Sequence, residues 1–370
     1  MNKLSIITDL SPSLQFTIIF TIMSFMAFIN ESLNHWLSIV SKTILIGIIS
    51  YLLTLYIRKY RNKVFIITKG KAVLITGCDT GFGNKIALKL NRNGFRVYAT
   101  VLSVSSNGAK QLSTNCAFNN KMHILDMDVT NDANVLNTYK HIKKDLQTHG
   151  DQLWAVINNA GLFSCGHLEW GTLDTFHKVF AVNVFGMIRV TRTFLPLIKV
   201  SKGRVINMVS LAGRFTFDLG GIYCMTKHAC IAFCDTLRRE MHKFGVKVIT
   251  IEPGLFRTPM TNEKYISDLL INTWNQSSDT VKKSYGESYL NLQKEVALDF
   301  HNRFKAGSDI GLVVDDTVDA VLNSEPQIMY RPIEGIQSKV LTLLPAYIPS
   351  KWLDLIVFAK DKSKPENIYD

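Results

Sequence analysis

The spacing of hydrophobic residues changes near residue 64, and after that point the chain alternates between two periods. Short apolar runs of strand length occupy residues 71–77, 95–102, 121–130, 153–161, 203–210, 246–254 and 327–332. Segments with apolar residues at helical spacing separate them, at residues 83–94, 132–147, 172–199 and 223–244. The third helix is predicted to stop near Pro196. Apolar strands that alternate with helices predict an α/β fold, a doubly wound parallel sheet covered on both faces.

The first 63 residues have a different pattern. No charged residue occurs from Leu10 to Asn30, and Lys42 is the one charge between residues 36 and 57. A helix crosses the hydrocarbon layer with about 20 apolar residues, so the second segment is long enough to span, while the first would span or lie in the interface. The basic stretch at residues 58–63, "RKYRNK", places that end on the cytosolic side. Residues 1–63 are therefore predicted to be a membrane anchor with one or two transmembrane segments.

Two cleaved leaders are alternatives to an anchor. A mitochondrial transit peptide is rich in arginine, and this chain has no arginine before Arg58. A signal peptide over residues 1–30 would leave the second apolar segment unexplained. A third apolar region, residues 336–358, is interrupted by Pro345 and Pro349. Residues 336–370 are predicted to form a lid over a site, a contact with the membrane surface, or packed core.

Composition narrows the classes of partner. Hydrophobic residues make up 47% of the chain, charged residues 19%, and the net charge is +12. A basic balance is typical of proteins that bind nucleic acid, an anionic membrane or an anionic ligand. The chain has neither zinc-finger spacing nor a basic stripe with interleaved aromatics, so nucleic acid is not an expected partner. Its six cysteines have no paired spacing, which indicates free thiols in a reducing compartment, and no metal site is predicted.

A glycine-rich turn follows the first predicted strand. The strand "AVLIT" leads into Thr76-Gly77-x-x-x-Gly81-x-Gly83, and a predicted helix begins there. A strand, a glycine turn and a helix form the Rossmann-type dinucleotide-binding arrangement, in which the N–H groups at the helix start bind the pyrophosphate. Glycine allows the backbone to approach the ligand closely. The turn therefore predicts a dinucleotide site.

Several motifs together resemble those of the short-chain dehydrogenase/reductase family. The loop "TGCDTGFG" matches that family's cofactor motif, and "NNAG" at residues 158–161 is similar to a second family motif. Further matches follow in order at the family's distances: Asn183, Ser210, Tyr223-x-x-x-Lys227, Pro253-Gly254 and Thr258. The resemblance covers roughly residues 70–335. It implies a single catalytic domain at residues 64–335, an oxidoreductase activity on alcohols or carbonyls, and a homodimer or homotetramer.

The resemblance also implies a set of cofactor-binding residues. They are Thr76, Gly77, Asp79, Gly81, Phe82, Gly83, Asp128, Asn159, Ala160, Gly161, Tyr223, Lys227, Pro253, Gly254 and Thr258. The second strand ends in "ATVL" and offers no acid to the adenosine ribose, so Asp79 in the turn is the candidate for that role. Its carboxylate would accept from a 2′-hydroxyl and repel a 2′-phosphate, which favours NAD over NADP. The alternative is that Asp79 caps the helix.

Four residues are predicted to carry the chemistry. Tyr223 and Lys227 are four apart on a helix and share a face. A tyrosine is a poor base at neutral pH, and a nearby ammonium favours its phenolate. Ser210 would orient the substrate oxygen. Asn183 resembles the family asparagine that holds a water for proton relay.

Three functions fit this set. The favoured one is NAD-dependent interconversion of a lipophilic alcohol and its carbonyl, of the steroid or retinoid class, at the endoplasmic reticulum membrane with the catalytic domain facing the cytosol. A second is a mitochondrial enzyme similar to 3-hydroxybutyrate dehydrogenase, and a third is a non-catalytic NAD-binding scaffold at the membrane. Residues 255–305 mix apolar and polar positions and are predicted to bind the substrate.

Overall fold

The chain folds into two compact units. A computed structural model describes residues 11–28, 36–60, 63–299, 306–335, 338–340 and 347–360. The units are Met1–Val64 and Phe65–Asp370. Parts of the apolar segment before Asn30, of the predicted substrate segment and of the C-terminal apolar region lie outside the described residues.

The N-terminal unit is a pair of helices, α1 (Pro12–Phe28) and α2 (Trp36–Tyr60), which pack on each other. Ser50 donates to the Met23 sulfur over 3.3 Å, and both Ser50 and Thr54 are buried. The exposed side chains of the pair include large apolar ones: Ile22, Phe25, Ile44, Leu45, Ile48 and Leu52. The unit therefore buries small polar groups and exposes hydrocarbon.

The second unit is built on a seven-stranded parallel sheet, as the alternating pattern predicts. Its strands are β1 Lys71–Ile75, β2 Arg96–Val101, β3 Met122–Asp126, β4 Gln152–Asn158, β5 Arg204–Met208, β6 Lys247–Ile251 and β7 Met329–Tyr330. They are arranged in the order β3-β2-β1-β4-β5-β6-β7. The chain crosses from the β3 edge back to β4, so the topological switch point lies between β1 and β4. A crevice at the carboxyl ends of the strands forms there in doubly wound sheets.

Helices cover both faces of the sheet. In chain order, the described helices of this unit are α3 Gly81–Arg92, α4 Asn107–Asn115, α5 Asp132–His149, α6 Leu173–Phe180, α7 Met187–Ser201, α8 Gly221–Met241, α9 Glu263–Gln276, α10 Asp279–Tyr285, α11 Glu287–Leu298, α12 Gly311–Leu322 and α13 Ser350–Lys360. The core on one face includes Ile86 of α3 and Val313 of α12, and the core on the other includes Phe194 of α7 and Cys234 of α8. Burying such side chains contributes about 1.5–3 kcal/mol each.

Local signals explain where the helices begin and end. The Asn131 side chain accepts from the Asn134 N–H at the start of α5, and Gly150 ends that helix with a φ of 67°. These are the expected N-cap and left-handed C-cap. The predicted helix at residues 172–199 is continuous through a π-helical turn, Ala181–Gly186, which joins α6 to α7. The predicted stop near Pro196 was wrong, because α7 contains Pro196 and ends at Ser201.

One helix among the described residues, Leu173–Ser201, is long and apolar enough to cross a membrane. It contains α6 and α7, and Val190, Phe194 and Ile198 on its inner face are buried in the core cluster that includes β4 residues. This segment is therefore a core helix. Two shorter apolar helical stretches, Ser13–Phe25 and Ser41–Thr54, belong to the N-terminal unit.

Candidate active site

A cavity of about 670 Å³ opens at the carboxyl ends of the strands. Most of the residues predicted from the motifs line it: Gly77, Asp79, Gly81, Phe82, Asp128, Asn159, Ala160, Gly161, Ser210, Tyr223, Lys227, Pro253, Gly254 and Thr258. Thr76, Gly83 and Asn183 are not among the described residues that line it. The fold thus brings distant motifs to one place, while three predicted residues lie behind the wall.

The glycine turn has the geometry that a bound phosphate needs. Gly77 and Gly81 have φ values of 68° and 61°, which L side chains rarely adopt. A Cβ built on Gly81, at the start of α3, would have no described atom within 4 Å, so this backbone is open toward the cavity. A Cβ on Gly77 would lie 2.8 Å from Ala160 Cα. The turn and the helix start therefore fit a dinucleotide pyrophosphate.

Gly83 serves packing within the protein. A Cβ at this position would lie 2.4 Å from Asn159 Nδ2 and 2.4 Å from the Gly77 carbonyl oxygen. Glycine at position 83 thus allows α3 to approach β4. This is the packing role of the third glycine in dinucleotide-binding turns.

Asp79 lies where β2 ends. Its carboxylate accepts from the Leu102 N–H, with distances of 3.2 and 3.3 Å to its two oxygens. The N-cap of α3 is Thr80, and no side-chain capping bond is present at this described terminus. The capping alternative for Asp79 therefore has no support in the geometry. Although it comes from another loop, Asp79 occupies the end of β2, where dinucleotide folds place the acid that contacts the ribose.

Thr76 organises the "NNAG" turn from behind. It is buried, and its Oγ1 accepts from the N–H groups of Asn159 and Ala160 at 3.0 and 2.9 Å. The Asn159 side chain in turn donates to the carbonyls of Thr76 and Gly77 at 2.9 and 2.8 Å. These bonds hold the ends of β1 and β4 together on the cofactor side of the cavity.

The Asn183 side chain forms hydrogen bonds with neighbouring segments of the chain. It lies in the π-helical turn, and its side chain accepts from the Leu162 N–H at 2.7 Å and donates to the Leu162 carbonyl at 2.9 Å. It also donates to Thr226 Oγ1 at 3.0 Å. The side chain thus fixes the chain beside Gly161 and links it to α8. Single π turns inside α-helices are frequent at functional sites.

Tyr223 and Lys227 lie in the first turns of α8. The Lys227 amine is buried, donates to the Met208 carbonyl at 3.1 Å and lies 5.4 Å from the centre of the Tyr223 ring. The Tyr223 ring packs edge-to-face against Phe163, with centroids 5.0 Å apart. Lysine and tyrosine are therefore adjacent on one side of the cavity, as their spacing predicts.

Ser210 follows β5 and is tied to the turn after β6. Its hydroxyl accepts from the Ala212 N–H at 3.1 Å, and the Leu211 N–H donates to the Pro253 carbonyl at 3.0 Å. The Thr258 N–H donates to Thr261 Oγ1 at 2.9 Å as the next turn begins. The two loops that carry Ser210 and the Pro253-Gly254 pair are therefore held side by side.

A network of ion pairs around a buried glutamate lies behind these loops and was not predicted from the sequence. The fully buried Glu252 accepts from Arg214 at 2.6 and 3.2 Å and from Arg331 at 3.0 Å. Arg331 also donates to the Tyr347 hydroxyl at 3.1 Å. The network ties the ends of β5, β6 and β7 and reaches the C-terminal region. Its members are far apart in sequence and match none of the motifs.

The sequence predicted only part of the apolar lining, because Leu255, Phe256 and Met260 lie in the segment 255–305 that was predicted to bind the substrate. The residues that line the cavity include Leu162, Phe163, Leu211, Phe215, Phe217, Leu255, Phe256 and Met260. Phe215 and Phe217 come between Ser210 and Tyr223 in the chain, and all four line the cavity. A second cluster, with Trp170, Leu270, Trp274 and Tyr289, packs where α9 and α11 meet the loop before α6. The signal in the sequence is the run "GRFTFDLGG", in which Phe215, Phe217 and Leu219 alternate with polar residues.

The cysteines have no catalytic geometry. All six are free, and five are buried. Burial raises the pKa of the Cys224 thiol to about 11 and that of Cys234 to about 12, so both are protonated at neutral pH. Among the described residues, no group of three or more His, Cys, Asp or Glu side chains could hold a metal ion.

Comparison with known proteins gives one consistent family. The model of the short chain dehydrogenases matches residues 71–268. Retinol dehydrogenase 16 of Rattus norvegicus is 37% identical over 84% of this chain and 95% of its own length. Estradiol 17-beta-dehydrogenase 2 of Mus musculus is 35% identical over 78% of this chain and 74% of its own.

Two further matches are a mitochondrial relative and a solved structure. The mitochondrial D-beta-hydroxybutyrate dehydrogenase of Rattus norvegicus is 32% identical over 76% of this chain and 83% of its own length. A solved short-chain dehydrogenase from Streptomyces avermitilis has a TM-score of 0.58 at 20% identity, covering 79% of this chain and 98% of that one. At such identity the likeness concerns the fold.

Proposed function

The chain belongs to the short-chain dehydrogenase family, and from this premise we propose that it interconverts a lipophilic alcohol, of the steroid or retinoid class, and its carbonyl with NAD. As a family member it is an oxidoreductase that acts on CH–OH groups with a nicotinamide cofactor, as predicted from its motifs. One observation carries the proposal. Ser210, Tyr223 and Lys227 line the same cavity as the glycine turn, next to a wall of phenylalanines.

The placement of the residues supports a proposed role for each. The Tyr223 phenolate removes the proton of the substrate hydroxyl, and the buried Lys227 ammonium stabilises that phenolate. Ser210 donates to the substrate oxygen and orients the carbon. Bound NAD supplies the acceptor for the hydride. Asn183 is a positioning residue, since it fixes the Leu162 backbone beside Gly161.

The cavity favours an apolar substrate over a hydroxy acid. A carboxylate such as that of 3-hydroxybutyrate needs a cation at the catalytic end. Among the described lining residues the cations are Lys178 and Lys227. Lys227 already donates to a carbonyl beside Tyr223, and Lys178 is exposed on α6. Phe163, by contrast, packs directly on the Tyr223 ring.

A turnover screen tests the substrate class. The full chain in mild detergent is assayed with NAD and NADP against steroid alcohols, retinol and 3-hydroxybutyrate by following NADH or NADPH absorbance. We expect kcat/KM for a steroid or retinol to exceed that for 3-hydroxybutyrate by about tenfold or more, because apolar contacts of 1–3 kcal/mol discriminate on this scale. Preference for 3-hydroxybutyrate would support the second function. Cofactor binding without turnover of any alcohol would support the scaffold.

The N-terminal unit is proposed to anchor the enzyme in the endoplasmic reticulum membrane, with the catalytic domain in the cytosol. A pair of helices that buries small polar residues such as Ser50 and exposes Phe25 and Ile44 suits a lipid surrounding. The basic residues that follow favour the cytosolic side. The anchor would hold the cavity where lipophilic alcohols concentrate. Assembly as a homodimer or homotetramer stays a prediction.

Alkaline carbonate washing of microsomes tests the anchor. We expect the full chain to remain in the membrane pellet and a chain that lacks residues 1–63 to move to the soluble fraction, because about 20 apolar residues suffice for stable insertion. Recovery of the full chain in the wash would contradict an anchor. Retention of the truncated chain in the pellet would show that another segment holds the membrane.

A further inference from the structure

The ring of Phe217 rests directly on a glycine at the start of the catalytic helix. A Cβ built on Gly220 would lie 2.1 Å from Phe217 Cε2 and 2.6 Å from Cζ, closer than any real contact. The ring lines the cavity, and the glycine is the N-cap of α8, three residues before Tyr223. The position of the ring therefore depends on the absence of a side chain at position 220.

The backbone just before this glycine is strained. Leu219 has a φ of 64°, a conformation that L residues other than Asn and Asp rarely adopt. Its side chain is buried in the cluster that contains Trp170, and its carbonyl accepts from the Gly166 N–H at 2.8 Å. Packing and this bond hold the strained turn, which brings Gly220 beneath the ring.

We propose that Phe217, seated on Gly220, is a specificity-determining residue that selects flat, rigid hydrocarbon skeletons, such as a fused-ring alcohol or ketone, over flexible chains. The inference rests on the proposed function, since it concerns the substrate end of the same cavity. Phe217 and Phe215 have centroids 6.3 Å apart, and Phe163 lies against Tyr223. All three rings line the same cavity as Tyr223 and together form its aromatic wall.

The selectivity has a physical basis. An aromatic ring face packs closely on a flat skeleton and gains contact energy beyond area burial. A flexible chain must be ordered before it can make the same contacts, and that ordering costs free energy. A ring held in place by Gly220 is itself already ordered. The wall therefore discriminates by rigidity as well as by hydrophobicity.

A double-mutant cycle tests this inference through binding, independently of turnover. The variants are Phe217→Ala, Gly220→Ala and the double change in the full chain. The readout is the ratio of Kd values for a steroid ketone and a straight-chain ketone, measured by the fluorescence of the reduced cofactor on proteins that also carry Tyr223→Phe, so that the bound ketone is not reduced. Phe217→Ala is expected to lower the preference for the steroid about tenfold. Gly220→Ala is expected to lower it similarly, because the new methyl group displaces the ring.

The cycle distinguishes an effect through Phe217 from a general effect on α8. If Gly220 acts through Phe217, then Gly220→Ala adds nothing in the Phe217→Ala background. The matched control is Gly221→Ala, whose Cβ would lie 2.7 Å from Leu168 Cδ2, outside the described lining of the cavity. Its steroid preference is expected to equal that of the wild type.

Several outcomes would overturn the inference. One is that the effects of Phe217→Ala and Gly220→Ala on the steroid preference are additive. Another is that Gly221→Ala lowers this preference as much as Gly220→Ala does. The third is that the protein with Phe217 and Gly220 intact binds both ketones equally. Phe217→Leu leaves the turn intact and keeps an apolar side chain without a flat face. If Gly220→Ala fails to fold, a partial loss of the steroid preference in Phe217→Leu supports the inference, and an unchanged preference overturns it. Absence of turnover with unchanged binding preferences would instead count against the proposed function.

Discussion

Replacement of Tyr223 by phenylalanine is expected to lower kcat by about a thousandfold, because a positioned general base contributes about 10²–10⁴ to the rate. The change removes one oxygen from a ring that packs at 5.0 Å against Phe163, so the fold of the site is preserved. Affinity for NADH should stay within about twofold, since the glycine turn is untouched. Steady-state kinetics and fluorescence titration with NADH measure the two quantities separately.

The matched control for this prediction is Tyr139→Phe. Tyr139 is also half-buried and packs edge-to-face on a phenylalanine, Phe194, with centroids 5.5 Å apart, but it lies on α5 away from the cavity. Its variant should keep wild-type kcat. If Tyr223→Phe retained more than about a tenth of wild-type kcat, Tyr223 would not be the base.

Replacement of Asp79 by alanine is expected to reduce the preference for NAD over NADP by roughly thirtyfold. A carboxylate at the end of β2 repels a 2′-phosphate that carries nearly two charges, and at about 5 Å in a solvent-exposed groove this repulsion is about 2 kcal/mol. The loss of the acceptor for the 2′-hydroxyl should raise KM for NAD at the same time. Comparison of kcat/KM for the two cofactors in both proteins measures the change.

Asp126→Ala is the matched control for the Asp79 prediction. Asp126 Oδ1 accepts from the Val104 N–H at 2.7 Å, just as Asp79 accepts from Leu102 two residues earlier. It is an acid at the end of β3 that bonds the same loop after β2 but is outside the described lining of the cavity. Its variant should keep the wild-type cofactor ratio. Equal ratios in Asp79→Ala and wild type would place the discrimination on another residue.

The sheet could be predicted because buried parallel strands have a strong local signature. The strands from β1 to β6 are short runs rich in buried or partly buried apolar residues, and such runs need no partner to be recognised. The end of the third strand was less well predicted. The run 121–130 continues past Asp126, but the Thr130 N–H donates to Asp128 and forms a turn. Side-chain hydrogen bonds of this kind compete with the strand.

The predicted site residues fall into two groups, those that line the cavity and those that support its wall. Tyr223 and Lys227 were predicted because they match the family's motifs together with Ser210 and the glycine turn, and their spacing of four on a helix defines a common face. Thr76, Gly83 and Asn183 carry motif positions too, but the sequence does not tell whether a motif residue faces the ligand or supports one that does. Their hydrogen bonds and close contacts place them behind the wall of the cavity. The aromatic wall matched no motif, and the short alternation of Phe215 and Phe217 with polar residues did not show that these rings face a cavity.

By itself the sequence determined the succession of strands and helices along the chain, the glycine turn and the helical face that carries Tyr223 and Lys227. Each of these features depends on residues that are close to each other in the sequence. Only the tertiary structure decided what surrounds them. It placed Asp79 at the end of β2, buried Glu252 between Arg214 and Arg331, and set Phe217 on Gly220. The reason is physical. The contacts of Asp79 and Glu252 join residues from different loops at the carboxyl ends of the strands, and the strained turn that brings Gly220 to Phe217 is held by the distant Gly166 N–H, which donates to the Leu219 carbonyl.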